Sequence, residues 1–133
     1  MSRLVLVVVG LWVAAQASLA DAARRARDAW LAHDAQGLVA QSPSLVLQIA
    51  GADPSAALGR AQAAELLRRY FRAAEERSLD VTALREVEQG RGFVELERVF
   101  VVAGTADLRR ETLFLGFRRQ GERWVLVELR SAP

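Results

Sequence analysis

From Leu79 to the C-terminus the chain reads as one strand after another with almost nothing between them. Apolar residues alternate with polar or charged ones over 79–88, 93–103, 109–119 and 123–130. The breaks are turn segments, Gln89-Gly90-Arg91-Gly92, Gly104-Thr105-Ala106-Asp107 and Gln120-Gly121-Glu122. Connections this short join antiparallel neighbours, because a parallel pair needs a crossover of about a dozen residues or more. Whatever precedes this run must therefore cover a four-stranded antiparallel sheet.

What precedes it is mostly helical. Asp21 to His33 places Ala22, Ala26, Ala29, Trp30 and His33 on one stripe, with Arg24, Arg25, Arg27 and Asp28 facing away. Asp34 is a natural N-cap for a short helix over 35–41, which Pro43 ends. Leu45, Leu47 and Ile49 then alternate with polar or small neighbours, as in a strand, and Gly51-Ala52-Asp53-Pro54-Ser55 is turn chemistry. After Gly59 a long helix is expected to run past Ala74, with Ala63, Leu66, Leu67, Tyr70 and Ala74 as its apolar stripe and Phe71 at the margin. Helices segregated from an antiparallel sheet make an α+β fold.

The first 20 residues carry the order of a secretory signal peptide: Arg3 for charge, an apolar run from Leu4 to Ala15, then small residues at Ser18 and Ala20 before Asp21. The run is about a dozen residues, short of the roughly 20 that span a bilayer, so stable membrane insertion is not expected after cleavage. The expected domains are a leader over 1–20 and one domain over 21–133, in a periplasmic or secreted protein. Ala15-Gln16-Ala17 offers a second cut three residues earlier. The 113 residues left by the later cut suffice for one domain with a single core. The chain has no cysteine, so it forms no disulfide and carries no lipoprotein anchor point.

The pI of about 10.3 does not signal nucleic acid. All 18 basic residues are arginine, against 16 acids, and one histidine and one tyrosine leave little to titrate in between, so a small surplus of charge drives the pI high. Phosphate binding requires a clustered basic field, and here the charges are interspersed. On the long helix Glu65 stands three and four residues before Arg68 and Arg69, and Glu75 and Glu76 stand three and four after Arg72. Such pairs neutralise a solvated face. One histidine and no cysteine leave only carboxylates for a metal, in no calcium-loop spacing, and there is no phosphate loop or nucleophile elbow. No metal or cofactor is expected.

Three stretches carry a family resemblance: "AWLAHDAQGLVAQSPSLVLQIAG" for paired helices and a first strand, "LGRAQAAELLRRYF" for a long helix after glycine, and "GERWVLVELR" for a closing strand. Over nearly all of residues 21 to 133 the chain resembles the nuclear transport factor 2-like, or SnoaL-like, superfamily, and most closely its uncharacterised exported members. The resemblance implies a cystatin-like cone, a curved antiparallel sheet wrapped around helices with a cavity at the open end. It does not choose an activity, because isomerases, dehydratases, hydrolases and association modules share the fold. Enzymatic members tend to carry an acidic base on or just after the first strand. Here that stretch is Leu47-Gln48-Ile49-Ala50-Gly51, without a carboxylate, and Asp53-Pro54 reads as a turn.

The residues that stand out lie on apolar strand faces. Arg98 sits among Val94, Leu96, Phe100 and Val102; Glu111 shares a face with Leu113, Leu115 and Phe117; Arg85 shares one with Val81, Ala83 and Val87. A charge there needs a partner. A salt-bridged structural cluster, the edge of a dimer contact and a cavity wall for an anionic ligand each supply one, and a bulge would swap the faces. Pairing about the 104–107 turn puts residues summing to about 209–211 opposite each other, and 98 + 111 = 209. His33, the single histidine, and Tyr70 complete the candidates, His33 with a structural role at the helix end as its other reading. The cavity candidates are thus Arg98, Glu111, Tyr70, Arg85 and His33. The expected function is a non-catalytic exported binding or association module, taking a small ligand or a protein partner and dimerising through the outer sheet face, where Val99, Val101, Val125 and Val127 lie. The alternative is an enzyme using acid–base residues in the cone.

Overall fold

Helix α1 (Ser18–Leu31) buries Leu19, Ala22, Ala23, Ala26 and Trp30, a stripe at helical spacing that turns its arginines outward. The computed structural model describes residues 18–49, 52–88 and 90–133. Residues 1–17 of the expected leader, and Ala50, Gly51 and Gln89 of the expected turns and strand end, lie outside the described residues. The His33 amide donates to the Trp30 carbonyl at 2.9 Å and the Asp34 amide to the Ala29 carbonyl at 2.8 Å. That double closure of a helix end requires a left-handed residue, usually glycine, and His33 fills it at φ 53°. Asp34 then caps α2 (Ala35–Val39), accepting from the Gly37 amide at 2.9 Å.

Strand β1 (Val46–Gln48) follows, and then α3 (Arg60–Arg72). The helix expected to pass Ala74 ends at Arg72, because the chain is taken over by sheet pairing: the Ala73 carbonyl accepts from the Ala103 amide at 2.9 Å, and Ala74 stands opposite Val102. The buried face of α3 is also rotated from the expected one. Ala63, Ala64, Leu67 and Phe71 are buried, whereas Leu66 is 36% exposed. Phe71 is drawn inward by aromatic contacts, edge-on to Trp30 at 4.9 Å and stacked on His33 at 4.7 Å.

The remaining chain forms β2 (Ala74–Val87), β3 (Arg91–Val102), β4 (Leu108–Gln120) and β5 (Arg123–Ala132). They pair antiparallel, as the short turns require, and β1 adds in parallel beside β5, giving an open mixed sheet in the order β1-β5-β4-β3-β2. The parallel pair departs from the all-antiparallel expectation, since β1 reaches the sheet edge before the helix that separates it from the meander. One face of the sheet, including Val94, Leu96, Leu113, Leu115 and Leu129, meets the helices in a single core. The β3–β4 register keeps the sum of 209 from Arg91↔Arg118 to Val101↔Leu108.

Strand β2 carries register shifts between Glu76 and Ser78 and between Val81 and Ala83. The second is decisive for Arg85. Before it Val81 stands opposite Leu96 on the core face; after it Ala83 and Arg85 stand opposite Glu95 and Phe93 on the outer face. The shared face expected for Val81, Ala83, Arg85 and Val87 is therefore broken by the extra residue, Thr82. Among the described residues no helix is long and apolar enough to cross a membrane.

Candidate functional site

Arg98 is fully buried, yet it lies at the centre of a polar cluster drawn from six elements. It projects from β3 toward the helices. Its Nε donates to Glu76 of β2 at 2.9 Å (Oε2) and 3.1 Å (Oε1), and its Nη2 also donates to Oε1, which makes a two-pronged clasp. Its Nη1 donates to Glu111 Oε1 of β4 at 2.8 Å and to the Tyr70 hydroxyl of α3 at 2.9 Å. Tyr70 in turn donates to Glu111 Oε1 and is hydrogen-bonded to Ser131 of β5. Glu76 Oε1 further accepts from the Trp30 indole at 3.1 Å and meets His33 Nε2 at 3.2 Å. A proton on Nε2 lets His33 donate to that carboxylate.

Aromatic rings wall the guanidinium in. The Phe100 ring centre is 3.9 Å from the Arg98 Cζ, Tyr70 is at 5.0 Å and Trp30 at 5.1 Å. Burial by itself favours loss of the Arg98 proton, but the Glu76 hydrogen bond, Tyr70 and the further pull of Glu76 and Glu111 outweigh it and hold the cation more firmly than in water. Tyr70 is held neutral well above its ordinary range, first by burial and then by its hydrogen bond to Glu111. Among the described residues no buried side-chain nitrogen or oxygen is left without a partner.

Four of the five sequence candidates thus meet in space: Arg98, Glu111, Tyr70 and His33. Arg85 does not; it is exposed on the outer face. Three further members of the cluster carry no sequence signal of their role. Glu76 reads locally as a helical partner for Arg72, whereas Trp30 and Ser131 look like ordinary stripe and strand residues. The stretch Leu47–Ile49 brings no carboxylate to the core face, and Asp53 is exposed. Among the described residues there is no group of three or more histidine, cysteine or acidic side chains able to hold a metal.

Open space lies elsewhere. A cavity of about 530 Å³ sits between α1, α2 and the start of β5, floored by Ala26, Leu38, Phe117 and Trp124 and rimmed by Arg25 and Arg123. One of about 320 Å³ separates α2 from α3. A third, about 330 Å³, lies beside Glu95, Glu97 and Arg110, and Glu111 reaches its wall from the cluster. Arg98, Glu76, Tyr70 and His33 line none of these three.

Among solved structures, an NTF-2 like protein of unknown function from Shewanella oneidensis MR-1 superposes with a TM-score of 0.63 at 13% identity, over 86% of this chain and 95% of its own. The chain has the nuclear transport factor 2-like fold. A ketosteroid isomerase-like protein from Erwinia carotovora atroseptica matches this fold with a TM-score of 0.72, 15% identity and coverage of 87% and 93%. A putative calcium/calmodulin-dependent protein kinase type II association domain from Thiobacillus denitrificans matches at 0.70, 17% identity and coverage of 87% and 94%. No family model and no curated protein matches the chain. The nuclear transport factor 2-like likeness is one of fold, and the site must carry any functional reading.

Proposed function

We propose that this is an exported, non-catalytic association module, a homodimer formed through the outer face of the sheet. The observation that carries the non-catalytic part is the closure of the Arg98 cluster. Trp30, Tyr70 and Phe100 pack around the buried Arg98 guanidinium, and the buried donors and acceptors there are spent on one another. An enzymatic reading draws on the Tyr70–Glu111 hydrogen bond, an acid–base pair in kind. Its weakness is that both groups already bond the fully buried Arg98.

Association is supported by the outer face. Phe93, Val99 and Phe114 are half-buried there, and Leu108 is 57% exposed, whereas Val127, expected on that face, is the unpaired residue at a register shift in β5. Val101 and Val125 are already buried within the protomer, so the apolar patch is narrower than the strand pattern implies. Arginine and aromatic groups are interleaved on it, with Arg130 over the Phe114 ring at 5.7 Å and Arg110 paired to Glu97 at 2.7 Å. That mixture, rather than bulk hydrophobicity, is what interfaces favour. The association domain among the structural neighbours fits the same reading. Light scattering on the exported protein at tens of micromolar should give a dimer, and Leu108→Glu with Val99→Glu should give a folded monomer. A strict monomer before any substitution overturns the dimer, and a small molecule seen bound against Arg98 in a co-crystal overturns the closure of the cluster.

A further inference from the structure

We infer that the leader is removed between Ala17 and Ser18, so that the mature chain begins at Ser18 rather than at Asp21; the inference rests on the export reading above. Both bonds satisfy the local rule for such a cut, small side chains one and three residues before it: Ala17 and Ala15 in one case, Ala20 and Ser18 in the other. Local sequence therefore does not separate them. The folded domain does, because the cut is made on an unfolded chain whose product must afterwards fold without what was removed.

The later cut discards a piece of the core. Ser18, Leu19 and Ala20 already belong to helix α1. Leu19 is 5% exposed and belongs to the same cluster as Trp124, Phe117 and Val94. It is seated over Gly92 of β3: a methyl group built on that glycine would come within 2.9 Å of both Leu19 methyl carbons and 3.3 Å of the Trp124 ring. A glycine beneath a leucine from another element is space kept for that leucine.

The test uses the full chain, expressed in a bacterium with a secretory pathway, and reads the intact mass of the exported protein. The expected mass begins at Ser18. A product beginning at Asp21 overturns this inference and leaves export standing, whereas an unprocessed membrane-bound chain overturns export itself. Ala20 is exposed, so Ala20→Gln leaves the fold intact, blocks a cut after residue 20 and should leave processing unchanged. Ala17→Gln should stop or divert processing. The opposite pattern, with Ala20→Gln blocked and Ala17→Gln processed normally, refutes the assignment.

Discussion

Replacing Arg98 by methionine keeps most of the side-chain volume and removes the guanidinium at the centre of the cluster. Two carboxylates then remain inside the protein, Glu76 with 5% and Glu111 with 10% side-chain exposure, without the guanidinium that bridges them. Removing one partner of a buried ion pair costs about 3–5 kcal/mol. Two stranded acids place Arg98→Met toward the upper end, a large share of the roughly 5–15 kcal/mol that holds a domain of this size together. Near 4 °C per kcal/mol, the melting temperature should fall by about 10–20 °C. Guanidinium unfolding followed by tryptophan fluorescence measures this directly, since Trp30 donates to Glu76 and reports on the cluster. Adding Glu76→Gln and Glu111→Gln removes the uncompensated charge and should recover much of the loss. A loss under about 1 kcal/mol for Arg98→Met would mean a solvated pair, and a triple variant no better than the single would refute stranded charge as the cause.

Tyr70 is the only tyrosine, so ultraviolet titration reports on it alone. Its folded-state pKa is raised, so the stability it contributes is fully present below the unfolded tyrosine value of about 10 and is lost as pH climbs through the folded value. Tyrosinate absorbance should therefore stay absent past pH ~10 and rise only with unfolding, and Tyr70→Phe should flatten the alkaline loss of stability; normal titration near 10 in the folded protein refutes the burial. Leu19→Ala should cost about 2–3 kcal/mol in the same unfolding assay, the low end of the range for a buried leucine. A change below about 0.5 kcal/mol would place Leu19 at the surface.

Much of the fold is legible in the sequence because it rests on short-range signals that nothing at long range opposes. The three strand connections carry glycines at φ 79°, 79° and 62°, a left-handed region that few other residues enter easily. Asp34 caps α2 by its own side chain. The Arg98–Glu111 contact is legible as well, because a short turn fixes register and register fixes opposite neighbours. Arg85 departs from its expected place for the converse reason. A single extra residue in β2, Thr82, has no strong sequence signature, yet it moves every later side chain to the other face. Trp30 gives no sign of its role, since a tryptophan on an apolar stripe looks the same whether or not its indole nitrogen meets a carboxylate.

Glu76 shows most clearly why local sequence misleads at this site. Within "RRYFRAAEER" it stands four residues after Arg72, and a helix continued through it would gain a surface pair worth about 0.2–0.5 kcal/mol. Ending the helix at Arg72 forfeits that pair and turns Glu76 inward against Arg98. An Arg98 left with Glu111 alone would be a buried guanidinium whose Nε and Nη2 lack the carboxylate they now share, a penalty of several kcal/mol on the same scale as breaking the pair. The buried interaction outweighs the surface pair roughly tenfold, and so it decides where the helix stops. Once Ala73 and Ala74 join β3, the strand delivers Glu76 opposite Phe100, the ring on which the guanidinium rests. The end of α3, the start of β2 and the closed cluster are thus one event, and its driving residue lies more than twenty positions downstream, at Arg98.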